Sequence, residues 1–405
     1  MPMNNLRAYR VYLIHKAITH GLFLMAFTVN DLYRLLIVQL DPLQLVLAGT
    51  VLEVSIFLFE IPTGAIADLY SRRLSVIIGV FLIGAGFILE GSFPFFSTIL
   101  VAQVLWGIGL TFTSGALEAW ITDEIGEENS GATFLRGTQV SQIGGIVGIT
   151  FSTIIGLSGI NYPIIFSGLL FIILGFYLII AMPETGFKPA RPEERSTFNN
   201  MKTTIMDGFG MIRKRPSLRS ILWIGLFFGL YSEGLDRLWV AHLVDGFSLP
   251  YFQPVVWMGL IWGTSMLLTI GMVELVKSRI DMVRMQSLVK ALMISSGLIL
   301  MFLFLFASSG FLWLAIFLYL AIDVLRQLNE PIYTAWINHK LDPQIRATVL
   351  SMSTQLDAFG QIAGGPITGW IGRLFSIRAA LYTSCGLLSP VLYLFGRHIR
   401  ARDDE

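Results

Sequence analysis

Charge is scarce in this chain: Asp, Glu, Lys and Arg make up 14% of its 405 residues, against about 25% in ordinary globular domains. So few ionic groups cannot cover the surface of a water-soluble molecule of this size. Twenty-eight basic residues against 27 acidic ones leave a formal net charge of +1, and no basic tract is interleaved with stacking aromatics, which excludes nucleic acid as an expected partner. Cysteine is nearly missing as well. Cys385 stands alone in an apolar run, so an intrachain disulfide, a CxxC redox pair and a thiolate zinc cluster are ruled out. No HExxH, GxSxG or Walker sequence occurs, and Gly107-x-Gly109 lacks the third glycine and preceding strand of a dinucleotide site. No cofactor, no metal site and no familiar enzyme chemistry is expected.

What is abundant is apolar length. Hydrophobic residues make up 54% of the chain and the mean hydropathy is +0.70. Stretches of about 20 apolar residues, enough to cross a hydrocarbon core of about 30 Å, recur twelve times. They predict helices near 11–38, 44–67, 74–93, 97–122, 131–157, 162–182, 218–245, 253–277, 285–307, 311–338, 346–373 and 378–397. Long continuous runs, in place of two-residue alternation, argue against a barrel. The first run carries Lys16 and His20 and lacks a small-residue cleavage site, so it reads as a retained helix and not as a removable signal.

Lys and Arg are absent from the connections 39–43, 93–97, 158–162, 246–252 and 308–310. They collect on the other side, at Arg7, Arg10, Arg72, Arg73, the stretch from Lys188 to Arg219, Lys277, Arg279, Arg284, Lys340, Arg346, Arg397, Arg400 and Arg402. Positive charge is retained in cytoplasmic loops, so the chain is expected to be a multi-pass protein of the cell inner (cytoplasmic) membrane with both termini on the cytoplasmic side; Arg373 and Arg378, on the outer side, are exceptions to the charge pattern. A polar segment from Pro183 divides six helices from six, giving an N-terminal bundle over 1–182, a linker over 183–216 and a C-terminal bundle over 217–405. Within the linker, 201–215 has the spacing of an amphipathic helix on the inner leaflet, where it would meet membrane lipid.

The halves echo each other. Ala119-Trp120-Ile121 recurs as Ala335-Trp336-Ile337, and Gln139 recurs as Gln355 at the same offset along the chain. Leu32-x-Arg34-Leu35 of helix one is matched by Leu235-x-Arg237-Leu238 of helix seven. A six-helix shift preserves orientation and implies two parallel halves, as in transporter repeats.

Twelve helices in two sixes, with Gly64-x-x-x-Asp68-x-x-Ser71-Arg72-Arg73 between helices two and three, resemble the major facilitator superfamily over essentially the whole chain. The resemblance implies an all-α membrane fold of two pseudo-symmetric six-helix bundles and a bacterial efflux-like member working as a monomer. It also implies a gating role for the motif: Gly64 allowing close helix approach, Asp68 pairing locally, and the arginines meeting an acid at the end of helix four, where Asp123 stands. The chain departs from the family's antiporter patterns. Gln103 occupies a helix-four position where many drug/proton antiporters carry arginine, and the glycine-proline signature lies in helix eleven, Gly360 to Gly369 with Pro366, and not in helix five.

Ionic groups inside spanning helices cost about 2.5 to 3.5 kcal/mol each on insertion scales, so they need a protein interior. Helix one carries Asn30, Asp31 and Arg34; helix seven carries Glu233, Asp236 and Arg237; helix ten carries Asp323, Arg326 and Glu330. Spacings of three and four give each arginine a carboxylate on its own helical face. The expectation is a proton- and substrate-binding cavity lined by these nine residues. Static neutralising pairs are the plainer alternative. Glu53, Glu60, Lys16, His20 and His242 read as weaker candidates or polar interior, while Gly144-xxx-Gly148 and Gly225-xxx-Gly229 read as close helix contacts.

The expected activity is proton-coupled efflux of a small organic or amphipathic solute by alternating access. Proton-coupled uptake and a transporter-like receptor without flux are the alternatives.

Overall fold

The structure, a computed structural model, describes residues 3–188, 216–279, 284–340 and 343–403. The proposed amphipathic helix at 201–215 lies outside the described residues. Thirteen helical segments and no strand occur among the described residues: α1 Met3–Leu36, α2 Pro42–Leu69, α3 Arg72–Ser92, α4 Phe96–Thr113, α5 Ala116–Ile125, α6 Glu127–Gly156, α7 Tyr162–Ala181, α8 Pro216–Gly246, α9 Pro254–Arg279, α10 Met285–Ser308, α11 Leu312–Lys340, α12 Pro343–Leu374 and α13 Ile377–Asp403. Each predicted helix has its counterpart, except that helix four is broken into α4 and α5. Ten spans among the described residues are long and apolar enough to cross a membrane. The helices short of that criterion include α8 and α12, whose ionic and small polar residues lower their hydropathy.

Local chemistry fixes several ends. Asp41 and Gln44 cap α2 reciprocally: the Gln44 backbone N–H donates to Asp41 Oδ1 at 2.9 Å, and the Asp41 N–H donates to Gln44 Oε1 at 3.1 Å, with Pro42 pre-set for the first helical position. Ser71 caps α3 by accepting the Leu74 N–H at 2.9 Å. Gly115, at φ +69°, makes the break between α4 and α5; a residue with a Cβ is strained there. At the repeat-equivalent position of α11 stands Pro331. There the missing N–H interrupts the helical ladder instead.

The chain divides into two compact units. Unit 1 comprises Met1–Leu40, Val51–Asn199 and Phe252–Gly259; unit 2 comprises Asp41–Thr50, Asn200–Tyr251 and Leu260–Glu405. In unit 1 the most extensive helix pair is α1 on α6, and in unit 2 it is α8 on α12. Glycine makes both possible. A Cβ on Gly144 or Gly148 would collide with the backbone carbonyl of Ala17 or Gly21, and one on Gly360 or Gly364 with that of Leu226 or Leu230. The second glycine pair follows the first at the offset that relates Trp120 to Trp336, so the repeat read in helices four and ten extends to five and eleven.

Aromatic packing fills the rest of unit 1. Phe23 and Phe27 of α1, Phe87 of α3, Trp106 of α4 and Phe171 of α7 lie within ring-centroid distances of 5.2 to 6.3 Å. In unit 2, Trp239 of α8 stacks on Tyr319 of α11 at 4.0 Å. Large apolar side chains such as Ile146, Ile154, Ile173 and Ile180 remain exposed along α6 and α7, the surface expected of helices solvated by lipid.

Candidate functional site

The mid-helix charges of unit 1 form a dry network. Arg34 of α1 lies 2.8 Å from Glu90 of α3 with side chains 2% and 0% exposed, while Asp31 is 3.5 Å away. Gln103 of α4 donates to the other Glu90 oxygen at 3.1 Å, and Tyr33 Oη donates to the Glu90 backbone carbonyl at 2.8 Å. Asn30 is buried beside Asp31 in sequence, its Oδ1 without a hydrogen-bond partner among the described residues. The expected pairing of Arg34 with Asp31 is therefore secondary. Its principal partner is Glu90, a residue the sequence reading passed over, and Gln103 supplies an amide to that same carboxylate.

The motif after α2 meets its acid. Arg72 pairs with Asp123 and donates to the Ala119 carbonyl, while Asp68, 61% exposed, stands 3.6 Å from it. Arg73 donates to the Ile179 carbonyl, and Arg7 to those of Ile180 and Ala181, so two cations close the C-terminal end of α7. Pro183-Glu184-Thr185-Gly186, the start of the expected linker, is docked on unit 1. Glu184 accepts from Ser71 Oγ at 2.6 Å and from the Arg73 N–H at 2.9 Å, and Glu124 accepts from the Thr185 hydroxyl and the Gly186 N–H, both at 2.7 Å. Gly64 differs from its expected role. A Cβ there would meet no atom within 4 Å, so no close helix approach depends on it.

In unit 2 the charges pair otherwise than their spacing predicts. Glu233 and Arg237 do pair along α8, at 3.0 Å with Glu233 buried. Arg326 of α11, however, gives both terminal nitrogens to Asp236 of α8, one at 2.8 Å, and not to Asp323 or Glu330 of its own helix. Asp323 instead accepts from Ser265 of α9 and, at 2.7 Å, from Gln327. The Arg326 guanidinium also lies 5.8 Å from the Tyr231 ring centroid.

Each unit holds a polar chamber. That of unit 1 measures about 500 Å³, with His15, Lys16, Thr19, Glu60, Glu118 and Ser141 among its walls. That of unit 2 measures about 390 Å³, with Tyr231, Asp236, Arg326, Glu330, Tyr333 and Asp357 among its walls. Both volumes suit small organic ligands. The repeat relates the walls: Ser114, Glu118 and Ser141 of the first chamber correspond, at one common offset, to Glu330, Thr334 and Asp357 of the second. Of the nine predicted cavity residues, Asp236, Arg326 and Glu330 line the unit 2 chamber; Asn30, Asp31, Arg34, Glu233, Arg237 and Asp323 line neither.

Asp357 is the residue of this chamber that sequence reasoning missed. It accepts from Gln361 at 2.8 Å, lies within electrostatic reach of Arg326, Asp236 and Glu233, and forms no salt bridge among the described residues. An acid with an amide one turn on, inside a glycine-rich span, was the available signal.

Ten membrane-length apolar spans among the described residues, arranged as two sequence repeats that each carry a chamber walled by ionisable side chains, define a polytopic helical membrane protein built as a solute transporter is built. The family model for the Major Facilitator Superfamily matches residues 17–356, and the chain belongs to that superfamily of transporters. It is similar to the uncharacterized MFS-type transporter YxaM of Bacillus subtilis (strain 168), 23% identical over 357 residues that cover 87% of this chain and 86% of that one. Among solved structures it resembles the nucleoside transporter NupG, with TM-score 0.76 at 14% identity over 96% of this chain and 98% of the other. It likewise resembles a bacterial homolog of the human lysosomal transporter Spinster in an inward-facing and unoccupied conformation, with TM-score 0.74 at 13% identity over 99% and 98%. At such identities these likenesses establish the fold, which is the one the sequence implied.

Proposed function

We propose that the protein is a proton-coupled secondary transporter that moves a small organic or amphipathic solute across the cytoplasmic membrane by alternating access, in the direction of export. The observation that carries the coupling is the charge balance around Arg326. This guanidinium is committed to Asp236 by two hydrogen bonds, while Asp357 has an amide for its partner. A carboxylate within a spanning helix is costly when ionised without a cation, and taking up a proton removes that cost. Opening of the chamber to water on one side of the membrane and then the other would let Asp357 bind and release that proton, with Asp236–Arg326 as the neighbouring pair that responds to its charge. Asp31, Glu233, Asp236 and Asp323 each have a basic or multiple hydrogen-bonding partners, which favours Asp357 over them as the carrier.

The solute class draws support from family membership and from the likeness to carriers described as nucleoside and peptide transporters. Cytoplasmic termini draw support from the asymmetry of Lys and Arg between the two sets of loops. The Asp68, Arg72, Arg73 and Asp123 cluster is assigned to gating.

Purified protein in liposomes, given a panel of organic compounds, should move at least one of them uphill when a pH gradient is imposed and lose that movement with a protonophore. Downhill flux indifferent to the gradient contradicts coupling. Binding without any flux contradicts transport and identifies a receptor, and the sign of the effective gradient separates export from uptake.

A further inference from the structure

The chamber of unit 1 holds buried polar groups that no packing role explains. His15 of α1 is 3% exposed, lines the chamber, and neither of its ring nitrogens has a hydrogen-bond partner among the described residues. Thr19, one helical turn further on the same face, is also a wall residue, and its hydroxyl is buried without a partner among the described residues. Leaving such groups unmatched is unfavourable, and a ligand filling the chamber would relieve it. A neutral imidazole presents one donor and one acceptor, and a hydroxyl presents both, so this wall is suited to a solute that itself carries hydroxyl or amide groups.

The charges of the chamber point to the rest of the solute. Lys16 and Glu118 face each other at 3.2 Å and cancel. Glu60 of α2 is an exposed wall residue that forms no ion pair among the described residues, leaving one negative charge open to a ligand. Phe23 and Leu117 add apolar surface to the walls. We propose that this chamber is a binding site for an amine-bearing organic solute, its ammonium paired with Glu60 and its hydroxyl or amide groups read by His15 and Thr19. The assignment extends the transport reading from the coupling ion to the cargo and rests on that reading only in taking the chamber as a place for solute. It concerns residues of unit 1 alone, whereas the proton assignment concerns unit 2.

Equilibrium dialysis of the purified full chain in detergent tests it with three labelled probes: tyramine, phenethylamine, which lacks the hydroxyl, and 4-hydroxyphenylacetate, which replaces the ammonium by a carboxylate. Tyramine should bind more tightly than phenethylamine, and both more tightly than the anion. Glu60→Gln should weaken both amines roughly tenfold to a hundredfold, and His15→Leu or Thr19→Val should erase the difference between tyramine and phenethylamine. Binding is read in detergent with no pH gradient and no flux, so failure of the proton assignment leaves this result standing. Equal binding of the three probes, no binding of tyramine, or amine binding unaltered by Glu60→Gln in a protein that keeps its wild-type melting temperature would each overturn the proposal.

Discussion

Arg34 and Glu90 face each other at 2.8 Å from neighbouring helices with almost no access to solvent. Their mutual attraction and the amide of Gln103 offset a large desolvation cost, and a pair in that position is far more damaging to break than to remove. Glu90→Gln should lower stability by about 3 to 5 kcal/mol, whereas Arg34→Leu combined with Glu90→Leu should lie close to the wild type. Thermal unfolding in detergent reads both. A double replacement as harmful as the single one would give these groups a role beyond mutual neutralisation.

Glycines of the two tight helix pairs should be intolerant where Gly64 is not. Gly148→Ala and Gly364→Ala drive a methyl group into a facing backbone carbonyl and should cost about 1 to 3 kcal/mol. Gly64→Ala meets open space in a helix interior and should be neutral or stabilising by about 0.4 to 1 kcal/mol. Parallel melting curves of the three variants provide the comparison. A destabilising Gly64→Ala would reveal a close approach at that glycine.

Asp68 and Asp123 should separate in the same way. Asp68 is largely exposed and 3.6 Å from Arg72, a geometry whose typical worth is at most about 1 kcal/mol, while Asp123 pairs directly with the same guanidinium. Asp123→Asn should therefore lower the melting temperature more than Asp68→Asn does. Under the gating assignment, Asp68→Asn should slow turnover while leaving solute binding nearly intact. An unaltered turnover would reduce the motif to an anchor of the α2–α3 turn.

Arg326→Lys should impair function more than charge conservation implies. The guanidinium holds both oxygens of Asp236 and lies over the Tyr231 ring, and an ammonium can reproduce neither the fork nor the stack. Gradient-driven transport should fall roughly tenfold or more, the loss of one charge-assisted hydrogen bond being about 1.5 to 3 kcal/mol. Wild-type transport by this variant would remove the Asp236–Arg326 pair from the coupling machinery.

Much of this architecture was legible in the amino acids. Length and hydropathy gave the helices, and the recurrence of Ala119-Trp120-Ile121 gave the repeat, because a spanning helix must satisfy its own backbone whatever surrounds it. The i,i+4 rule correctly joined Glu233 to Arg237 but misjoined Arg326 to its own helix. Periodicity reports which side chains share a face and is silent about which helix lies opposite, and Asp236 approaches from α8. Glu90 is hidden from the sequence for the same reason: it approaches Arg34 from α3, whereas Asp31 shares a face with Arg34 on α1. The α4–α5 break rests on one positive φ at Gly115, which a run of apolar residues hides. His15 and Thr19 carried no signal, since nothing in a sequence distinguishes a hydrogen-bonded polar side chain from an orphaned one.

The coupling assignment is tested most directly by Asp357→Asn protein in liposomes, measuring uphill solute movement under an imposed pH gradient beside solute exchange without one. The amide keeps the shape and the Gln361 contact but cannot carry a proton between the two sides. Uphill movement should vanish while exchange persists near its wild-type rate. Undiminished uphill movement would contradict the account.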